Sequence, residues 1–249
     1  MTLGWFKLAK VTTLSLPKQV DIIADKAIEL CREYIQVKSD GGITAPPGTK
    51  NLIDWILVIS PKDKRTNVKV YLQIGEIYTK RECFLYNVNG KCMIDYYLKR
   101  SSNFYIELYV NFHEIIKPDN FAAIEDRIKD ALEFIILHEA GHAGRFADFS
   151  TKQMDALTKQ LKNPKKRTEL EYRRQHHESD ADISSILSLY NRLTEEQKSQ
   201  IQTYDELFET VAPNISLWPS VGNNLWGESE KWKRYLITRL MREGLILQR

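Results

Sequence analysis

Hydrophobic and polar residues follow two different patterns along the chain. A helix is predicted within residues 17–36, where apolar side chains recur every three or four positions. Segments rich in β-branched and aromatic residues follow, at residues 51–59, 67–78, 83–88, 91–98 and 103–112. The first of these segments is also compatible with a helix. From Asp119 onward the spacing is helical almost to Arg249. Strands followed by helices predict an α+β fold.

A short turn is predicted between two of the strand segments. The dipeptide Asn89-Gly90 separates residues 83–88 from residues 91–98. It is typical of the two-residue turn of a β-hairpin, because both residues accept the positive φ angles of that turn. We therefore expect a hairpin that reverses at Asn89-Gly90.

Size and composition narrow the class of protein. The chain has 249 residues, of which 43% are hydrophobic, and this is enough for one large domain. Its 36 basic and 33 acidic residues nearly balance, so the charge does not indicate nucleic-acid or membrane partners. Three cysteines are too few for a disulfide framework, and the N-terminal residues lack a signal-peptide pattern. These features predict a cytoplasmic protein without nucleic-acid or membrane partners.

The predicted helix at residues 119–147 combines an apolar stripe with two histidines. Asp119 or Asn120 is expected to cap its N-terminus. The stripe that should face the core consists of Ile124, Ile128, Ala131, Ile135, His138 and His142. The two histidines thus stand at the end of a buried face, where imidazoles without partners would lose hydration.

The histidines belong to the motif H-E-x-x-H, written HEAGH in this chain. His138 and His142 are four residues apart, so both imidazoles lie on one side of a helix and can bind one metal ion. Glu139 follows the first histidine and can face the same cavity without binding the metal. A zinc ion would activate water there, and Glu139 would serve as the general base.

A third ligand is expected from a second predicted helix, at residues 173–190. Catalytic zinc sites usually have three protein ligands and one open position. Glu178 and Asp182 are four residues apart on one face of this helix. Glu178 can complete the site, and Asp182 can accept a hydrogen bond from a metal-bound histidine. His177, about a quarter turn away from Glu178, is the alternative ligand if the helix begins later.

The pair of motifs HEAGH and ESDAD resembles the gluzincin branch of zinc metallopeptidases, which carry H-E-x-x-H and E-x-x-A-D on two helices. The order of features along the chain also resembles Lit-type phage-exclusion peptidases and, more loosely, ImmA/IrrE-type peptidases. This order is a strand ending in ELYVNF, the motif helix, a short insert and then the second motif. The likeness covers residues 120–190. It implies a zincin-like fold, with a small mixed sheet, an active-site helix carrying HEAGH and a mostly helical C-terminal part. The residues that it implies are zinc ligands His138, His142 and Glu178, general base Glu139, and Asp182 as the carboxylate that holds a ligand histidine.

Two domain parts are expected. Residues 1–190 would form the metallopeptidase domain, and residues 191–249 a helical extension packed on it. An amphipathic helix at 228–243 is suited either to docking or to dimerisation, and the sequence leaves the oligomeric state open.

The resemblance implies a zinc-dependent endopeptidase that cuts a specific intracellular protein, in phage defence or stress regulation. His177 is the favoured oxyanion donor among nearby candidates, which are Tyr172, Arg173, Arg174, His176, His177 and Tyr190. The strand at 103–112 is either an edge strand that pairs with the substrate or an interior strand of the sheet. The alternative functions are a non-catalytic zinc-binding or partner-binding module and a zinc hydrolase of a small amide.

Overall fold

The structure is a computed structural model that describes residues 14–44, 49–59, 67–76, 86–95, 103–112, 116–147, 152, 176–212 and 226–248. The first part contains one helix and four strands: α1 (Leu16–Ser39), β1 (Asn51–Val58), β2 (Asn67–Glu76), β3 (Tyr86–Asp95) and β4 (Asn103–Phe112). The later part contains six helices: α2 (Pro118–Ala122), α3 (Glu125–Ala147), α4 (His176–Tyr190), α5 (Glu195–Gln200), α6 (Tyr204–Val211) and α7 (Trp226–Arg242). The α+β class and the helical C-terminal part are thereby confirmed.

The four strands form one mixed sheet in the order β1-β2-β4-β3. β2 and β4 are parallel, whereas β1 pairs with β2, and β3 with β4, in the antiparallel direction. Because β4 is hydrogen-bonded on both sides, the segment at 103–112 is an interior strand. Its alternative role as the edge strand that pairs with a substrate is wrong. Among the described strands, β3 forms the edge of the sheet next to β4.

The predicted hairpin at Asn89-Gly90 is also wrong, because both residues lie inside β3, which pairs with β4 along its whole length. A glycine is required there by a neighbouring helix. A Cβ atom added at Gly90 would lie 2.2 Å from Cγ2 of Ile135 and 3.0 Å from Cγ of Glu139, both on α3. The missing side chain therefore allows α3 to lie directly on the edge strand.

The motif helix begins later than predicted. A separate short helix, α2, starts at Pro118, whose fixed φ suits the first helical turn. Asp119 therefore lies within the first turn of α2, and the residue that precedes this helix is Lys117. The N–H of Ile124 then donates to the carbonyl of Phe121 in a tight turn, and α3 starts at Glu125. Asp119 and Asn120 are thus not the cap of the motif helix.

One face of the sheet packs against α1 and α3. The strands contribute alternate buried residues to this core, namely Val68, Val70, Leu72, Ile106, Leu108 and Val110. The helices contribute apolar stripes that include Val20, Ile23, Ala27, Cys31, Ile128, Ala131 and Leu132. α3 contacts β3, β4 and α1, and it also contacts α4, which carries the second motif.

Ion pairs join α1, α3 and the residues that directly follow α4. Lys129 Nζ lies 2.9 Å from Asp21 Oδ1 and 2.5 Å from Asp25 Oδ1. Arg192 Nη1 lies 2.5 Å from Oε2 of Glu133, a carboxylate that is largely buried. Arg192 Nη2 also lies 3.8 Å from Asp21 Oδ1, so these charges connect all three segments.

Hydrogen-bonded caps define the helices that follow α4. Thr194 and Gln197 form a reciprocal capping box at the start of α5, and Thr203 and Glu206 form another at the start of α6. The predicted helix at 228–243 corresponds to α7, which contacts α4. Within the described part of the chain, no helix has both the length and the hydropathy that crossing a bilayer requires.

Candidate metal centre

Small residues bring the two motif helices together. A Cβ atom added at Gly141 of α3 would lie 3.5 Å from the Cβ atom of Ala181 on α4. Ala140 and Ala143 are buried on the same part of α3. The backbones of α3 and α4 therefore lie close to each other at the level of the two motifs.

Three predicted ligands meet at this contact. His138 and His142 come from α3 and Glu178 comes from α4, and they are 5%, 6% and 5% exposed. The Nε2 atoms of the two histidines are 3.0 Å apart. Oε2 of Glu178 lies 3.4 Å from Nε2 of His138 and 3.5 Å from Nε2 of His142. The three side chains form a group that could hold a metal ion.

The spacing of these donor atoms fits a tetrahedral ion. Zinc binds nitrogen and oxygen at roughly 2.0–2.2 Å, so two of its tetrahedral ligands lie about 3.4 Å apart. The measured separations of 3.0, 3.4 and 3.5 Å are close to this value. Two imidazoles and one carboxylate are also donors that divalent transition metals accept. With these three side chains as ligands, a tetrahedral ion would have one further position, which the residues described by the structure do not fill.

Asp182 supports the first histidine from one helical turn beyond Glu178. Its Oδ1 lies 2.8 Å from Nδ1 of His138, and the residue is 0% exposed. When the ring is neutral, this carboxylate favours the proton on Nδ1, which leaves the lone pair of Nε2 directed toward Glu178 and His142. The structure thus brings Asp182 to the place that the spacing of the motif predicted.

The charge around His138 changes its affinity for protons. Burial alone would lower the pKa of this imidazole, but the carboxylates of Asp182, Glu178 and Glu139 raise the pKa to about 10. Without a metal ion, the imidazole ring of His138 is therefore positively charged at neutral pH. A bound divalent cation would take the place of the additional proton and its charge.

Glu139 faces the edge strand beside the cluster. Its Oε2 accepts a hydrogen bond of 2.6 Å from the backbone N–H of Cys92 on β3. The residue is buried, and its charge acts on His138 on one side and on Cys92 on the other. Burial, followed by the charge of Glu139, raises the pKa of the Cys92 thiol. The base candidate therefore lies between the donor cluster and the sheet edge.

The position of β3 beside this site was not predicted from the sequence. The amide of Cys92 donates to Glu139, and a Cβ atom added at Gly90 would lie 3.0 Å from Cγ of Glu139. A glycine within a strand pattern is a signal of close backbone approach, and this signal was outweighed by the turn preference of Asn89-Gly90.

Several of the predicted residues lie outside the described parts of the structure. His176 and His177 begin α4, but their side chains lie outside the described parts of the structure, as do Tyr172, Arg173 and Arg174. Glu178 belongs to the described group that could hold a metal ion, and its alternative as third ligand, His177, stays a prediction. The role of His177 as an oxyanion donor remains a prediction.

No family model, no curated protein and no solved structure matches this chain. The resemblance to zinc peptidases therefore rests on the two motifs and on the geometry that they form.

Proposed function

We propose that this protein is a zinc-dependent endopeptidase that hydrolyses peptide bonds of a specific intracellular protein. The observation that carries this proposal is the buried group of His138, His142 and Glu178 with Glu139 beside it. Two imidazoles and a carboxylate with an open fourth position are the ligand set of catalytic zinc sites.

Glu139 and Asp182 have different roles in the proposed hydrolysis. Bound zinc would lower the pKa of water and polarise the carbonyl group of the substrate. Glu139 takes the proton from the attacking water and later delivers it to the leaving nitrogen. Asp182 keeps the Nδ1 proton of His138 in place, so that this ring remains a ligand through Nε2. No covalent intermediate with the protein is needed.

The presence of Glu139 favours a catalytic role over a structural one. Structural zinc sites are usually closed by four protein ligands, often cysteines. Among the described residues, the donor group here has three members and contains no cysteine. A structural site has no need of a base, so a carboxylate that borders the donor group without belonging to it favours proton transfer as its role.

The edge strand favours a peptide as the substrate. β3 lies beside Glu139, and an extended peptide can add to such an edge through main-chain hydrogen bonds. We propose that β3, rather than the strand at 103–112, binds the substrate. A closed pocket would be expected for a hydrolase of small amides. A place in phage defence or stress regulation follows only from the resemblance to Lit-type and ImmA/IrrE-type peptidases.

A non-catalytic zinc-binding module is the second candidate. The observation in its favour is the hydrogen bond from the Cys92 amide to Glu139, because it occupies one oxygen of the base. In such a module the metal would hold α3 and α4 together for binding to a partner protein.

Variants of Glu139 separate the two functions. Wild-type protein and Glu139→Gln should each bind one zinc ion, whereas His138→Ala and Glu178→Ala should lose it. New protein N-termini should appear in cells that express the wild type and be absent with Glu139→Gln. Asp126→Asn, an exposed change on the same helix, is the control. Identical cleavage products with Glu139→Gln would refute the enzyme, and zinc-free wild-type protein would refute the metal centre.

A further inference from the structure

The C-terminal helix α7 packs next to the metal centre. Trp232, Leu236 and Leu240 are four residues apart, fully or almost fully buried, and form the stripe by which α7 joins the core. α7 contacts α4, the helix that supplies Glu178. A segment far along the chain from both motifs thus borders one of the ligand helices.

One arginine of α7 binds the first turn of α4. Nη2 of Arg239 lies 2.9 Å from Oδ1 of Asp180. Nη1 of Arg239 lies 3.4 Å from Oγ of Ser179 and 3.4 Å from the hydroxyl of Tyr235. Ser179 is fully buried, and it follows Glu178 directly. The guanidinium therefore contacts the two residues that come immediately after the ligand.

Glu178 has less support from its own helix than the histidines have. It is the third residue of α4, whereas His138 and His142 lie inside α3. The first N–H groups of a helix have no partner within the helix, and helix ends fray. A displacement of about 1 Å is enough to disturb a preorganised site. Contacts from outside α4 are therefore needed to keep Glu178 in line with the two rings.

We propose that Arg239 is a positioning residue for the metal centre. It fixes the first turn of α4 through Asp180 and Ser179, so that Oε2 of Glu178 faces His138 and His142. This inference rests on the proposed zinc centre. It also makes metal binding and the docking of α7 mutually stabilising, because coupling between two sites is reciprocal.

Zinc affinity gives the first test, measured by competition with a chromogenic chelator at a temperature where circular dichroism shows all proteins folded. Arg239→Ala should bind zinc roughly 10- to 100-fold more weakly than the wild type, the usual cost of losing support behind a ligand. Arg239→Lys should recover part of the affinity. Arg234→Ala, an exposed change on the same helix, should leave it unchanged.

The outcomes separate this inference from the proposed function. Wild-type affinity in folded Arg239→Ala would overturn the role of Arg239 and leave the zinc centre standing. Failure of the wild type to bind zinc would overturn both. Should Arg239→Ala not fold, Arg239→Lys and Asp180→Asn answer the same question, because each weakens the same contact with a smaller change. Wild-type affinity in both would also reject the role.

A second readout distinguishes positioning from general stability. Cobalt at saturation should give an altered visible spectrum in Arg239→Ala, because the geometry of the Glu178 ligand changes. Zinc should slow amide exchange in α7 of the wild type and do so much less in Arg239→Ala. Arg239 would have a purely structural role if Arg239→Ala lowered the melting temperature by the same amount with and without zinc. Its cobalt spectrum and its zinc affinity would then match those of the wild type.

Discussion

His138 Nδ1 and Asp182 Oδ1 lie 2.8 Å apart and join α3 to α4 in the interior of the protein. The contact fixes the orientation of one ring and leaves its other nitrogen for a metal. Glu178, one turn before Asp182, then reaches the same point from α4. Both motifs therefore act through a single helix–helix contact, and changes on either side of it should affect metal binding.

Removing the charge of Asp182 tests this contact. Asp182→Asn should bind zinc roughly 10- to 100-fold more weakly, because a neutral amide does not hold the Nδ1 proton as a carboxylate does. It should also lose about 1–3 kcal/mol of unfolding free energy through a weakened buried hydrogen bond. Chelator competition and urea unfolding measure the two effects. Ser184→Ala, exposed on the same helix, is the control, and equal zinc affinity in Asp182→Asn would contradict the expectation.

Zinc binding should release a proton from His138. In the metal-free protein the pKa of His138 is raised to about 10, so the ring is charged at pH 7. This raised pKa contributes stability that is complete below the unfolded value of about 6.5 and is lost as the pH rises toward 10. Zinc affinity should therefore increase with pH over that range. Titration calorimetry in phosphate and in Tris should give different enthalpies, and equal enthalpies would refute proton release.

Gly90 should not tolerate a side chain. In Gly90→Ala the new methyl group would meet Cγ2 of Ile135, which is close to the backbone and has little freedom to move. We expect a loss of about 1–3 kcal/mol in urea unfolding, the usual cost of overpacking. Gly141→Ala is the matched comparison, since its methyl group would make an ordinary contact with Ala181 and alanine favours helices. Equal stability of the two variants would show that β3 adjusts freely.

Arg192 should stabilise the far side of α3. Arg192→Ala would leave the carboxylate of Glu133 buried and with Lys129 Nζ 4.0 Å away. We expect a loss of about 1–3 kcal/mol at pH 7. Burial raises the pKa of Glu133, so the loss should shrink as the pH falls and this carboxylate becomes protonated. Urea unfolding at several pH values measures the stability loss, with Lys231→Ala as an exposed control. A loss that does not change with pH would exclude the pairing of Arg192 with Glu133 as its cause.

The members of the donor group could be predicted because their spacing is local. Residues four apart on a helix must share a face, so HEAGH placed His138 and His142 together before any fold was known. The same rule placed Glu178 above Asp182. That the two helices meet follows from tertiary packing, and only the resemblance to gluzincins pointed to it.

The errors came from contacts between distant parts of the chain. Asn89-Gly90 has the local chemistry of a turn, but α3 needs the space at Gly90. Whether β4 is an edge strand depends on the order of strands in the sheet, which no strand pattern encodes. Arg239 lies 59 positions from Asp180, so nothing in the spacing could connect them.

The position of α7 near the C-terminus affects when the metal centre is completed during translation. A ribosome makes α3 and α4 before α7, so a growing chain contains both histidines and Glu178 before Arg239 exists. Until α7 has emerged and docked, the contact that aligns Glu178 is missing. A hydrolase assembled in this sequence would reach its full affinity for the metal, and with it its full capacity to cut other proteins, only after α7 has been translated and has docked.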